Sequence, residues 1–162
     1  MKRTIVVLCV AVCTIVGKAQ SSGFGLGIMV GEPTGISAKY WLRDDRAIAG
    51  GLAWGLWRGG YFHLHGDYLF HNMSLFNVSK GKLALYYGPG LRIRSWTGDR
   101  YWRHNEWHDG GRTDIGVRFP VGLNYMFDGA PVDVFTELVP ILDLAPETRL
   151  DFNAAIGVRY WF

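Results

Sequence analysis

The sequence predicts an all-β protein, an eight-stranded antiparallel up-and-down transmembrane β-barrel. Three features predict it. Apolar and polar residues alternate with a period of two in eight successive segments, glycines gather on one face of that alternation, and a short apolar leader opens the chain. The stretch YFHLHGDYLFHN, residues 61–72, shows the pattern most plainly. Phe62, Leu64, Gly66, Tyr68 and Phe70 hold even positions, while His63, His65, Asp67 and His71 hold odd ones. Successive side chains of a strand point to opposite sides, so this order separates an apolar face from a polar one. A helix would scatter both sets around its circumference.

The leader, MKRTIVVLCVAVCTIVGKAQ, starts with Lys2 and Arg3 and runs apolar from Thr4 to Val16. Gly17 and Ala19 are spaced as at a signal-peptidase site. Residues 1–19 are therefore expected to be a secretory signal peptide, and 20–162 a single barrel domain. About 13 apolar residues fall short of crossing a hydrocarbon core roughly 30 Å thick, which argues against a membrane anchor. Cleavage removes both cysteines, Cys9 and Cys13, and with them any thiol or disulfide chemistry. It also takes Lys2, Arg3 and Lys18 from the 17 basic residues, leaving 14 against 14 acidic ones. Nucleic-acid binding loses its compositional support with them.

Strands are expected near 23–31, 36–43, 47–58, 61–72, 82–96, 115–127, 132–144 and 149–162. Turn signals separate them: EPTG at 32–35, Asp44-Asp45, Gly59-Gly60, Asp128-Gly129 and APET at 145–148. The period breaks over 73–81, MSLFNVSKG, which leaves a bulge or an extended turn there.

One face is bulky and apolar throughout, from Phe24, Leu26, Ile28 and Val30 to Ile156, Val158, Tyr160 and Phe162. Arg58, at a strand end, is its one charge. The other face carries Lys39, Arg43, Asp67, Lys82, Arg92, Arg94, Arg118, Asp133, Glu137, Asp143, Asp151, Arg159 and the histidines. It also holds ten strand glycines beside Trp41, Trp57, Tyr61, Tyr86, Phe135 and Trp161. Alternation alone does not say which face is inside, but glycine placement does. An eight-stranded barrel has an interior just wide enough for side chains, so large inward groups need small neighbours. A solvent-facing surface has no use for glycines that weaken strands. The polar face is thus expected inside and the apolar face against lipid.

The aromatics fit that assignment. With both termini on the periplasmic side, Phe24, Tyr40, Tyr68, Phe70, Tyr125, Phe127, Tyr160 and Phe162 fall at periplasmic strand ends as one girdle. Trp54, Phe62 and Phe152 lie toward the opposite interface. Closure pairs every backbone N–H and C=O within the wall, as lipid requires.

The pattern resembles the small eight-stranded outer-membrane barrels of Gram-negative bacteria, the class of the OmpA transmembrane domain and OmpX. The final GVRYWF, with Gly157, Tyr160 and Phe162, resembles the C-terminal signal read by the barrel-assembly machinery, although Ala155 stands where a large polar residue is usual. MVGEPTGISAKYWL, DYLFHN, FPVGLNYMF and VPILDLAPETRLDFNAAIGVRYWF further resemble an uncharacterised family of predicted outer-membrane barrels. The resemblance implies fold and location, those of a bacterial outer-membrane protein. The chain is separately expected to be a monomer that meets outer-membrane lipid and lipopolysaccharide, and the barrel-assembly machinery during biogenesis. It brings no catalytic residue and no cofactor.

His63, His65 and Asp67 line up along one strand, with neighbours roughly 6.5–7 Å apart, too far for consecutive residues to chelate a small ion easily. They are expected to join a lumen charge network of Lys39, Asp67, Arg92, Arg118, Glu137, Asp151 and Arg159, in which Arg92, Arg118 and Arg159 face Glu137 and Asp151. Buried charges need such pairing. No metal site is assigned. The longest excursion, TGDRYWRHNEWHDGGRTD at 97–114, is expected on the extracellular side. Its Arg100, Tyr101, Trp102, Arg103, His104, Trp107 and His108 make it the candidate contact surface. Self-packing of the loop, contact with lipopolysaccharide or a partner, and a divalent site from His104, Glu106, His108 and Asp109 all stay open. A lipid A-modifying enzyme or a secreted lipocalin-like binder are the alternatives to a structural or surface-contact barrel. Against an enzyme, Ser37, Ser74, Ser79 and Ser95 show no pairing with a histidine and an orienting carboxylate.

Overall fold

Among the described residues, strands form along the segments with a period of two, broken within them only at two prolines. The computed structural model describes residues 22–55, 61–96, 101–103, 106–108 and 111–162, and at Tyr61 and within 101–108 the backbone only. The strands are β1 (Phe24–Gly31), β2 (Gly35–Arg43), β3 (Arg46–Gly55), β4 (Tyr61–Asn72), β5 (Lys82–Tyr87), β6 (Gly90–Trp96), β7 (Tyr101–Arg103), β8 (Glu106–His108), β9 (Arg112–Arg118), β10 (Val121–Met126), β11 (Val132–Ala145) and β12 (Arg149–Trp161). Neighbours pair antiparallel, and β1 pairs with β12 from Gly25↔Trp161 to Gly31↔Ala155, which closes the sheet. The result is a closed barrel with eight wall strands.

Two of the eight wall strands are each split. The fifth comprises β5 and β6, and the sixth β9 and β10. The interruptions fall at Gly88-Pro89 and Phe119-Pro120, because proline has no N–H to give the ladder. The register survives both breaks: β4 meets β5 at Phe70↔Tyr87 and β6 at Asp67↔Gly90, the same offset on either side. Carbonyls of the prolines still accept across the wall, from Tyr68 N to Pro89 O (2.9 Å) and from Gly88 N to Pro120 O (3.2 Å). The period-breaking residues 73–81 are an extended connection between β4 and β5.

Phe24 and Phe162 share one end of the barrel, where Phe162 N donates to Phe24 O (2.9 Å). This is the near end. The connection between β6 and β9 rises from the far end, and within it β7 and β8 pair with each other, Trp102 opposite Trp107.

Burial follows parity. Leu138 on β11 points outward and is 67% exposed, whereas its neighbour Glu137 points inward and is 8% exposed. Ile28, Leu91, Ile115, Leu150, Phe152 and Ile156 are exposed like Leu138, while Arg92, Arg118, Asp133 and Asp143 are fully buried. The aromatic belt at the near end is a physical one. Ring pairs Tyr68–Phe70 (5.2 Å), Tyr125–Phe127 (4.8 Å) and Tyr160–Phe162 (5.0 Å) follow it, and Tyr87 extends it by stacking on Phe70 at 5.9 Å.

Inside, large groups rest on small ones. A Cβ added to Gly157 would collide with the Phe135 ring, and one on Gly25 would sit 2.9 Å from the Trp161 indole. Trp41, Ala47, Ala84, Met126 and Trp161 form one inner cluster near the termini; Met29, Ala49, Leu69, Tyr86 and Phe135 form the next layer.

Candidate functional site

The far half of the lumen is a guanidinium–carboxylate lattice. Inward positions of β6 supply Arg92 and Arg94, β9 supplies Asp114, β11 supplies Asp143, and β12 supplies Asp151 and Asn153. Arg92 donates to both oxygens of Asp143 (2.7 and 2.8 Å through Nη2, 3.0 Å through Nε), to Asp151 (2.8 Å) and to Asn153 (3.0 Å). Arg94 lies 3.0 Å from Asp151 and 3.3 Å from Asp114, with its guanidinium 4.5 Å from the centre of the Trp96 ring. Arg112 and Arg149 close the lattice at the far mouth, Arg112 on Asp114 and Arg149 within 3.6 Å of Asp114 and Asp143. Multidentate contacts of this kind match the planar guanidinium fork.

At mid-lumen Arg118 reaches Glu137 (3.1 Å) and Asp67 (3.1 Å), and the Tyr86 hydroxyl donates to Glu137 (2.9 Å). His65 Nδ1 and His63 Nε2 approach to 3.3 Å with rings edge to face, and His65 Nε2 stands 3.9 Å from Asp67. Side-chain lean brings the two rings much closer than strand spacing alone implies. Among the described residues no three His, Cys, Asp or Glu side chains converge as a metal site would require.

The near half is different. Lys39, 1% exposed, donates to Asn124 Oδ1 (2.8 Å) and contacts His71 Nε2 (2.8 Å), with its ammonium 4.3 Å from the Trp41 ring centre. Arg159 donates to Asp133 (3.1 Å) while its guanidinium lies 4.0 Å from the Phe135 ring centre. The Trp161 indole N–H donates to the second oxygen of Asp133 (3.0 Å).

Lys39, Asp67, Arg92, Arg118, Glu137, Asp151 and Arg159 therefore face inward as expected, but their partners and the extent of the network differ from expectation. Arg159 pairs with Asp133, because the β11–β12 register sets those two opposite each other and leaves Glu137 opposite Ala155. Lys39 has aromatic and amide neighbours and, among the described residues, no carboxylate in ion-pair contact. Arg112 and Asp114 belong to β9 and the lattice rather than to the loop, since the alternation continues to Arg112, with Thr113 outside against Ser95 (3.0 Å). Arg43 and Lys82, expected among the lumen charges, are exposed at near-end strand termini. Asn124 and Asn153 were missed, although both are polar residues at inward parity, which was the available signal.

Gly157 lies beneath Phe135, and Tyr160 and Phe162 belong to the near-end belt. Arg100 and His104 lie outside the described residues, as do the side chains of Tyr101, Trp102, Arg103, Trp107 and His108, the 1–19 leader, and Arg58. Of the serines, Ser74 bonds Asn72 through its hydroxyl (2.9 Å) and Ser37 is buried in the wall.

An apolar exterior around a charged interior, closed by eight antiparallel strands, is the architecture of the OmpA-like barrel class. Among solved structures, the chain is similar to the N-terminal β-barrel domain of OprF from Pseudomonas aeruginosa, with a TM-score of 0.57 and 18% sequence identity over 86% of this chain and 95% of that one. At this identity the likeness is one of fold. No family model and no curated protein matches the chain.

Proposed function

We infer that the protein is an integral outer-membrane barrel of a Gram-negative bacterium, exported by a leader cut after Ala19 and inserted by the barrel-assembly machinery through its Gly157, Tyr160 and Phe162 terminus. The inversion of polarity carries this reading. Leu138, Phe152, Leu91 and Ile28 form part of an exposed apolar wall, while Arg92 and Arg118 are fully buried. A contiguous apolar surface of that extent needs a non-aqueous neighbour. A lipocalin-like binder would put its apolar residues inside, and here the inside is charged.

Fractionation tests it: recovery from the periplasm without detergent would overturn the membrane assignment. An arginine placed outside tests it more sharply. Leu138→Arg should cost about 2–4 kcal/mol in bilayers if that position lies near the midplane, and next to nothing if the wall faces water.

Within the barrel, the charge lattice plugs the lumen. Single-channel recordings in planar bilayers should show no steady large-conductance pore, and finding one would refute the plug. The biological role is structural or one of surface contact, through the connection between β6 and β9, whose Arg100, Tyr101, Trp102, Arg103, His104, Trp107 and His108 have no wall duty. Stacking and bidentate groups of this kind suit lipopolysaccharide or a protein partner. No catalytic residue is assigned. Binding of cells or purified lipopolysaccharide should vanish when 99–110 is replaced by a Gly/Ser turn. Survival of binding in that variant, with loss in His63→Ala/His65→Ala, would move the contact site to the wall.

A further inference from the structure

A groove of about 430 Å³ lies at the near rim, lined by Asp44, Met73, Phe76, Val78, Lys82 and Leu83 among others. That volume is within the ~300–1,000 Å³ usual for small-molecule sites. The 73–81 connection forms much of its lining, and it is pinned to the barrel at both ends. Asn72 Oδ1 accepts from Ser74 N (3.0 Å) and Ser74 Oγ (2.9 Å). Gly81 N donates to Asp128 (2.6 Å), and the Tyr125 hydroxyl donates to Lys80 O (3.0 Å). Met73 packs on the inner Trp41–Met126–Trp161 cluster. So held, the connection presents Leu75 and Phe76 to the outside, 53% and 38% exposed. Tyr125 belongs to the aromatic belt, so its bond to Lys80 O fastens the end of this connection to the rim that carries the belt.

We propose that this groove holds one membrane phospholipid with an amine-bearing headgroup, of the ethanolamine class; the proposal rests on the membrane reading above. Lys82 meets the phosphate and Asp44 the ammonium, while Phe76, Val78 and Leu83 lie along the glycerol and the first acyl carbons. The pairing of one cation with one anion on a partly apolar lining matches a zwitterion at the depth of the belt. A glycerol headgroup, carrying the phosphate charge and no amine, would leave Asp44 facing like charge. A peptide adding a strand here would need free backbone groups, but Gly81 N–H and Lys80 C=O are already engaged by side chains.

The test uses the exported chain, folded in detergent and stripped of lipid. It is titrated with ethanolamine- or glycerol-headgroup phospholipid, and bound lipid is counted by native mass spectrometry. One ethanolamine lipid should bind, about fivefold more tightly than the glycerol lipid, the size expected of a rim-exposed ion pair. Asp44→Asn should erase that preference, and Lys82→Gln should weaken both lipids. Both residues are exposed, and heat-modifiable migration in gels reports whether each variant has folded. Equal uptake of both lipids by the parent and both variants would mean annular lipid and would overturn the proposal, as would no uptake by a folded barrel. A chain that folds as a water-soluble protein without detergent would instead overturn the membrane reading.

Discussion

In the far half of the lumen, Arg92 is gripped by two carboxylates and an amide. In the near half, Lys39 lies against an indole, an imidazole and an amide oxygen, with no carboxylate in ion-pair contact among the described residues. The same eight strands enclose both regions, so the difference comes from what each inward position supplies. Toward the far mouth these are Asp114, Asp143 and Asp151; toward the termini they are Trp41, Tyr86, Phe135 and Trp161, with the carboxylate of Asp133 already engaged by Arg159 and Trp161. A buried cation needs compensation for lost water, and either opposite charge or an aromatic face provides it. The two solutions carry different risks. Carboxylates that lose their cation stay charged and buried, whereas aromatic rings that lose theirs remain ordinary apolar packing.

The largest effect should therefore come from unpairing the far lattice. Asp143→Ala leaves Arg92 and Arg94 short of a partner in the interior and should cost about 3–5 kcal/mol, read as a shift of the urea unfolding midpoint in vesicles. Glu137→Ala, which strips Arg118 and Tyr86 together, should fall in the same range. If either cost under about 1 kcal/mol, water would be compensating the charges and the lattice would not be a dry one.

Overpacking comes next. Gly157→Ala drives a methyl into the Phe135 ring and toward the Ile28 carbonyl, and should cost about 1–3 kcal/mol in the same assay. Phe135→Leu in that background should recover part of the loss, since it opens the space the methyl needs.

A smaller effect is expected in the near half. Lys39→Met removes a cation whose partners are a ring, an imidazole and the Asn124 amide, leaving chiefly one amide oxygen to re-pair at ~1–2 kcal/mol. A loss as large as that of Asp143→Ala would mean that Lys39 is held by charge after all, and the contrast between the halves would fail. The smallest effect belongs outside the lumen. Replacing 99–110 with a short Gly/Ser turn should leave the unfolding midpoint within about 0.5 kcal/mol. Arg112 must be kept, because it and Asp114 belong to the lattice.

Most of the wall was legible from residues alone. A period of two admits one backbone, and because large inward groups need small neighbours, the glycine-rich face had to be the inside. That assigns Arg92, Arg118, Glu137 and Asp151 to the lumen from parity alone, and the belt of Tyr68, Phe70, Tyr125, Phe127, Tyr160 and Phe162 to one rim. Parity says nothing of stagger, however. Which acid meets which base depends on the offset between neighbouring strands, and that offset is set by closure of the whole sheet. Arg159 therefore found Asp133 rather than Glu137. Arg112 and Asp114 looked like loop because turn-like residues surround them; pairing with β6 made them strand. The sequence determined the faces through local geometry, and closure of the barrel decided the partners, because a register is a property of two strands at once.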